Sequence, residues 1–240
     1  AGVASGDASA MLIKSDRHTK ADLELWSEHE RADMIQPAPR IESALHRIRE
    51  FVSQGPCYLS ISWGKDSVIT AWIAMQAARL PLVYFRSPED KYPGVNAVRN
   101  EFLSRWPAEY HEFIVDWPQR GAADWRKRNE LAAKSIGTPR RIVGIRAVES
   151  SSRWISAKAS GWSAGDSCRP LIDWQTPDIF ACAAQNNLPL HQNYGMLGGG
   201  RWPREYLRVS GLAGSPGEGH GRAEWEKEYY GDVLRRLAVK

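Results

Sequence analysis

Short β-prone runs that alternate with helical stretches are the feature that most restricts what this chain can fold into. The predicted strands are Cys57–Ile61, Leu82–Phe85, Tyr110–Val115 and Arg141–Ile145, and the predicted helices between them are Val68–Arg79, Val95–Trp106 and Trp125–Lys134. This alternation predicts an α/β fold, with a parallel twisted sheet and helices on both of its faces. In such folds ligands bind beyond the carboxyl ends of the strands.

Further helices are predicted outside this region. Apolar residues recur with a helical period over Ile41–Val52, and Gly55-Pro56 ends that stretch. An earlier helix is predicted over Asp22–Glu30, before the break at Pro37-Ala38-Pro39, and a last one over Glu224–Leu237. The last helix has mixed charge, which is typical of packing or of oligomer formation.

The loop after the first predicted strand has the residue types that bind phosphate. It runs Ser62-Trp63-Gly64-Lys65-Asp66-Ser67 into a predicted helix, whose first backbone N–H groups are unpaired and attract anions. Gly64 allows close approach, serine hydroxyls are donors, and Lys65 is a mobile cation. Asp66 is a candidate ligand of Mg²⁺. The candidate nucleotide contacts here are Ser60, Ser62, Trp63, Gly64, Lys65, Asp66 and Ser67.

This loop has two other interpretations. Its spacing differs from the GxxxxGK[ST] pattern, which argues against a P-loop NTPase. An ordinary strand-to-helix turn capped near Asp66 or Ser67 is the structural alternative.

The loop resembles the SGGKDS loop of the PP-loop superfamily, which has the adenine nucleotide α-hydrolase-like fold. The resemblance implies ATP, cleaved between its α- and β-phosphates, or an adenylyl sulfate compound in the same place. Trp63 replaces the first glycine of the family's loop, whereas the Gly-Lys-Asp-Ser core is intact.

A second motif, from Gly144 to Arg153, follows the fourth predicted strand. Arg146 and Arg153 have forked donors suited to phosphate or sulfate, and Glu149 is placed to pair with one of them. A surface cluster of ion pairs is the structural alternative. The motif resembles the GxRxxES..R segment of the phosphoadenylyl-sulfate (PAPS) reductase branch, which includes ATP-activating enzymes of DNA phosphorothioation. The candidate nucleotide contacts are Gly144, Arg146, Glu149 and Ser150, and the candidate catalytic residues are Lys65, Asp66, Arg146 and Arg153.

Two further segments resemble that branch. They are Arg169–Phe180, with a predicted N-cap at Thr176 and structural roles for Asp173 and Asp178, and Asn187–Tyr194. The chain departs from the reductases because no cysteine follows Cys182, so the terminal nucleophile of that mechanism is missing. Arg86, a candidate nucleotide contact, begins a segment that stands where relatives have Asp-Thr-Gly.

Composition adds limits on compartment and partner. The formal charge of +4 and the pI near 9.0 favour anionic ligands and tolerate nucleic acid. Three scattered cysteines argue against a zinc or iron–sulfur site and favour a reducing compartment, and no apolar run is long enough to span a bilayer. Cytoplasmic location is the expectation. The eleven tryptophans are predicted to pack mainly in the core.

These patterns divide the chain into an N-terminal extension over residues 1–40, a PP-loop nucleotide-binding domain over 41–194, and a Gly/Arg-rich lid with the C-terminal helix over 195–240. A basic region of Lys127, Arg128, Arg140 and Arg141 is either a nucleic-acid contact or a solvated surface.

The predicted function is cleavage of ATP, with Mg²⁺, to AMP and pyrophosphate to activate an acceptor. By resemblance, sulfur transfer to nucleic acid would follow, with a nucleic acid or a sulfur carrier as partner and with homo-oligomer formation left open. One alternative is a PAPS-using reductase or transferase whose thiol comes from a partner. Another is a non-catalytic nucleotide sensor or nucleic-acid-binding subunit.

Overall fold

The computed structural model describes residues 11–37, 39–86, 93–115, 122–209, 212 and 221–238. Its helices are α1 Lys20–Met34, α2 Ile41–Ser53, α3 Lys65–Met75, α4 Val95–Arg105, α5 Ala122–Ile136, α6 Ser151–Ser160, α7 Thr176–Gln185 and α8 Arg222–Ala238. Its strands are β1 Tyr58–Ile61, β2 Leu82–Arg86, β3 Tyr110–Ile114, β4 Arg141–Val143, β5 Ser163–Ala164 and β6 Ser167–Cys168. The segment Ser87–Asp90 lies outside the described residues.

The strands form one sheet in the order β3-β2-β1-β4-β6-β5. All neighbouring strands are parallel except β5 and β6, which form an antiparallel pair. The predicted α/β fold is therefore confirmed. The sequence analysis missed α6 and the β5–β6 pair, and it extended β4 to Ile145, two residues beyond its end at Val143.

Helices cover both faces of this sheet, as predicted, because alternate side chains of each strand point to opposite faces. Leu59 and Ile61 belong to the main core, which also contains buried residues of α3 and α7. Tyr58 and Val83 belong to a smaller cluster on the other face, where they pack with Ala132 of α5.

The N-terminal extension and the C-terminal segment pack into the main core. Leu12 forms a parallel bridge with Leu190, and Trp26 of α1 contacts Phe180 of α7 edge-on at a ring-centroid distance of 6.3 Å. Trp225 of α8 is fully buried. The divisions at residues 40 and 194 therefore mark segments of one packed unit.

Two predictions about charged or glycine-rich segments need correction. In the predicted lid, Met196, Leu197, Trp202 and Leu207 are buried, so these side chains anchor residues 195–209 to the core. Residues 210–211 and 213–220 lie outside the described part. In the predicted basic region, Arg140 donates to the Gly55 carbonyl at the end of α2. Its guanidinium thus has a structural role.

Candidate active site

The site lies where the strand order reverses. From β1 the chain continues to β2 and β3 on one side, whereas β4 joins β1 on the other side. The loops that follow β1 and β4 therefore meet at the carboxyl edge of the sheet, and such a switch point is where doubly wound folds bind ligands.

The loop after β1 is shorter than predicted, because α3 begins at Lys65 and not at Val68. Gly64 is the N-cap residue, and no side chain within the loop caps the helix. Instead, the Lys65 amide donates to the hydroxyl of Tyr194, at 3.1 Å. Tyr194 ends the segment Asn187–Tyr194, and the sequence of that segment does not indicate this contact.

The two predicted hydroxyl donors of the loop are used within it. The Ser67 hydroxyl donates to the Gly64 carbonyl at 2.9 Å and accepts from the Ser62 amide at 3.2 Å. The Ser62 hydroxyl donates to Ser67 Oγ. Ser60 lies within β1, level with Val83 and Val143 of the neighbouring strands. Ser62 and Ser67 thus hold the loop in shape.

Trp63 lies in the core, so its side chain is not a nucleotide contact. It is fully buried, and its ring centroid is 5.9 Å from those of Phe102 and Tyr110. Its φ of 60° is in the left-handed region, which favours glycine. This left-handed backbone explains why a glycine suits the position in the loop that Ser62–Ser67 resembles.

Lys65, Asp66 and Arg146 form a compact charged group, here called the charged triad. Lys65 Nζ lies 3.0 Å from Asp66 Oδ2, and Arg146 Nε lies 2.5 Å from Asp66 Oδ1. The side chains of Lys65, Asp66 and Arg146 are 5%, 13% and 3% exposed. Burial by itself raises the pKa of Asp66, but the charges of Lys65 and Arg146 and their hydrogen bonds outweigh it and lower that pKa. The triad therefore contains one ionised carboxylate between two cations.

The loop after β4 fixes Arg146 from several directions. Arg146 Nη1 donates to the Thr176 hydroxyl at 3.2 Å, and its backbone amide donates to Glu149 Oε2 at 3.0 Å. Thr176 was predicted as the N-cap of α7, but Gln175 occupies that position and its amide donates to Asp178. The Thr176 hydroxyl is therefore used to hold Arg146.

Gly144 is needed for a reason other than the predicted approach of a ligand. A Cβ at this position would lie 2.7 Å from the backbone oxygen of Asp66. The glycine thus lets the loop after β4 pack against the first turn of α3, and this packing brings Arg146 to Asp66.

The remaining predicted residues form ion pairs or caps. Glu149 pairs with Arg153, as predicted, and Ser150 caps α6 by accepting from the Arg153 amide at 3.3 Å. Arg86, at the end of β2, pairs with Glu112 of β3. Asp173 pairs with Arg47, which agrees with its predicted structural role. The structure thus brings Lys65, Asp66, Arg146, Glu149 and Arg153 together and places Arg86 at another strand.

A cavity of about 870 Å³ opens beside the charged triad. Lys65, Arg146, Glu149 and Thr176 line one part of it, and Arg204, Arg208 and Arg222 line another. Arg204 is held by Asp33 of α1 and lies over the ring of Phe180, and Arg222 pairs with Glu226. All three arginines lie in the segment 195–240 that was predicted to form a lid with the C-terminal helix. Their actual positions depend on folding of the C-terminal segment into the core.

The cavity does not fit a metal ion held by protein. Both oxygens of Asp66 already accept from cations, and Glu149 Oε2 accepts from Arg146 and Arg153. The described residues contain no group of three His, Cys, Asp or Glu side chains that could bind a metal. The prediction of Asp66 as a Mg²⁺ ligand therefore disagrees with the geometry.

The cysteines are also unsuited to chemistry at the site. All three are buried, and burial raises the pKa of the Cys168 and Cys182 thiols to about 12. Their thiolate forms are strongly disfavoured near neutral pH. In the part of the chain that the model describes, no helix has the length and apolar character needed to cross a membrane.

Comparisons with known proteins bear on the fold. No protein-family model and no curated protein matches the sequence. PAPS reductase from Candida auris, solved as a phosphate complex, matches at a TM-score of 0.53 and 12% identity over 79% of this chain and 95% of the reductase. NMN synthetase from Francisella tularensis, at 16% identity over 62% of this chain and 71% of its own, has a TM-score of 0.45.

The NH3-dependent NAD synthetase from Campylobacter jejuni, solved with a nitrate ion, also has a TM-score of 0.45, at 17% identity over 66% of this chain and 76% of its own. At these identities the likeness concerns the fold alone. The chain has the α/β fold of that PAPS reductase.

Proposed function

We propose that this protein is a PP-loop enzyme that binds ATP in the cavity and cleaves it to AMP and pyrophosphate to activate an acceptor. The observation that carries the proposal is the charged triad, in which two cations meet at the N-terminus of α3 and border a cavity of about 870 Å³. A helix N-terminus with adjacent cations favours phosphate oxygens. The fold shared with PAPS reductase supports an adenine nucleotide as the ligand.

The reaction would proceed by attack of an acceptor oxygen on the α-phosphorus. A bond forms from that oxygen to phosphorus, the bond to the bridging oxygen breaks, and pyrophosphate leaves with the electron pair. The acceptor then carries the AMP, which is released when a later nucleophile displaces it from the acceptor. Lys65 and Arg146 are placed to stabilise the charge that develops on the leaving group. Thr176 and Glu149 orient Arg146, and Arg153 acts through Glu149.

The acceptor is proposed from sequence resemblance. The segment Gly144–Arg153 resembles the corresponding segment in enzymes of DNA phosphorothioation. The proposal therefore extends to sulfur transfer to a nucleic acid, with a sulfur carrier as a second partner.

A second candidate is a PAPS-using reductase or transferase with a thiol supplied by a partner. The engaged carboxylate of Asp66 favours it, because a nucleotide sulfate can bind through cations alone. The buried cysteines of this chain would not supply the thiol.

Titration calorimetry with ATP, AMP and PAPS tests the nucleotide site. We expect Lys65→Ala to weaken ATP binding about tenfold or more, since a hydrogen bond to a charged group contributes about 1.5–3 kcal/mol. Lys134→Ala is the matched control, because Lys134 is exposed on α5 and does not line the cavity. Equal ATP affinity in both variants would contradict the proposed site.

Pyrophosphate release then separates the two candidates. Release of pyrophosphate from ATP by the wild type, reduced by Lys65→Ala and retained by Lys134→Ala, supports the ATP-cleaving enzyme. Binding of PAPS without pyrophosphate release from ATP, together with sulfite formation in the presence of a reduced thiol protein, supports the second candidate.

A further inference from the structure

Both oxygens of the Asp66 carboxylate are committed to cations of the same chain. Oδ1 accepts from Arg146 Nε at 2.5 Å, and Oδ2 accepts from Lys65 Nζ at 3.0 Å. Asp66 lies in the first turn of α3, so its own position is set by the helix. The carboxylate thus joins two cations that come from different loops.

Each of those cations depends on Asp66 for its position. Lys65 Nζ lies between the carboxylate and the ring of Tyr194, whose centroid is 5.3 Å away. Arg146 reaches Asp66 because Gly144 lets the two backbones approach. Without the carboxylate, two buried like charges would face each other across a short gap, and their repulsion would drive them apart.

A metal ion at Asp66 would meet these two cations at hydrogen-bond distance. Mg²⁺ prefers oxygen ligands and near-octahedral geometry, whereas the neighbours of this carboxylate are nitrogen donors. Among the other carboxylates that line the cavity, Glu149 is engaged by Arg146 and Arg153, and Asp33 is engaged by Arg204. The donor set therefore suits an anion.

We infer that Asp66 is a positioning residue that fixes Lys65 and Arg146 as two cationic contacts for one phosphate or sulfate group, and that it is not a ligand of Mg²⁺. The inference rests on the proposed function in so far as the cavity binds a phosphate compound. It adds that anion binding at α3 needs no protein-held metal, even where Mg²⁺ accompanies ATP on its own phosphate oxygens.

Titration calorimetry with inorganic pyrophosphate, in EDTA and in Mg²⁺, tests this role. We expect Asp66→Asn to weaken pyrophosphate binding about tenfold, by the same factor in both buffers, because one charge-assisted hydrogen bond and the spacing of the cations are lost. Asp173→Asn is the matched control, since Asp173 pairs with Arg47 and does not line the cavity. A loss confined to the Mg²⁺ buffer would overturn the inference.

A second measurement needs no nucleotide. Electron paramagnetic resonance of Mn²⁺ added to the ligand-free protein should show no stoichiometric site that Asp66→Asn removes, and such a site would overturn the inference. Failure of pyrophosphate to bind the wild type would instead count against the proposed function, while the Mn²⁺ result still decides the role of Asp66. If Asp66→Asn does not fold, Arg146→Lys replaces it, with the same metal-independent loss expected.

Discussion

Substitution of Trp63 tests separately the packing and the backbone conformation of the loop Ser62–Ser67. Trp63 is fully buried against Phe102 and Tyr110, and its φ is 60°. Truncating a buried tryptophan to alanine costs about 3–5 kcal/mol. A Cβ at a left-handed φ costs a further ~1–2 kcal/mol, which glycine avoids. Elsewhere glycine is less stable than alanine by about 0.4–1 kcal/mol, through the entropy of the unfolded chain.

We therefore expect Trp63→Ala and Trp63→Gly both to lower the free energy of unfolding by about 3–5 kcal/mol. The glycine variant should be the more stable of the two by about 1 kcal/mol. Urea unfolding followed by far-ultraviolet circular dichroism measures both quantities without relying on tryptophan fluorescence.

The same pair of substitutions at Trp154 is the control. Trp154 is 53% exposed within α6, where alanine is favoured over glycine by about 0.8–1 kcal/mol. The order of the two variants should thus be opposite at the two positions. If Trp63→Gly proved less stable than Trp63→Ala, the left-handed backbone at the loop, and the explanation of the family's glycine, would be wrong.

Three further outcomes are expected. Tyr194→Phe removes the hydroxyl to which the Lys65 amide donates, so thermal unfolding should show a loss of about 0.5–2 kcal/mol, typical of a lost helix cap. An unchanged stability would contradict that role. Burial lowers the pKa of His191 to about 3. Below pH ~6.5 the imidazole of His191 takes up a proton in the unfolded chain but not in the folded chain. The free energy of unfolding should therefore fall by up to ~1.4 kcal/mol per pH unit as the pH is lowered from about 6 to about 4. This slope should be smaller in His191→Gln and unchanged in His46→Gln, the control at an exposed position. The three buried thiols should react readily with a disulfide reagent at pH 8 only after denaturation. Cys168 and Cys182, whose pKa is raised to about 12, should react roughly 1,000-fold more slowly in the folded protein than in the unfolded chain. Rapid labelling of the native chain would contradict their burial.

The sheet and the loop Ser62–Ser67 were predictable because the sequence patterns that indicate them are local. Strand periodicity, the helix that follows each strand, and the Gly64-Lys65-Asp66-Ser67 core all lie within a few residues of one another. The meeting of Arg146 with Asp66 followed indirectly, since loops at the carboxyl ends of parallel strands share one edge.

Contacts between distant parts of the chain were not predictable from those signals. Tyr194 lies 129 residues from the amide that it caps, and the C-terminal arginines line the cavity only because residues 195–209 pack into the core. The strands β5 and β6 have two residues each, too few for periodicity to show. The residue type of Asp66 was visible in the sequence, whereas its two cationic neighbours depended on the fold.

The joining of the two ends of the chain bears on when the protein can finish folding. Arg17 donates to Asp232 across 215 residues of sequence, and Asp22 of α1 accepts from the hydroxyl of Tyr229 in α8. Because α8 is synthesised after α1, with a sequence separation of 207 between Asp22 and Tyr229, Asp22 lacks this partner until α8 has left the ribosome. Contacts of such separation form late and slowly. The cavity walls contributed by Arg204, Arg208 and Arg222 should therefore be completed only after α8 has been synthesised.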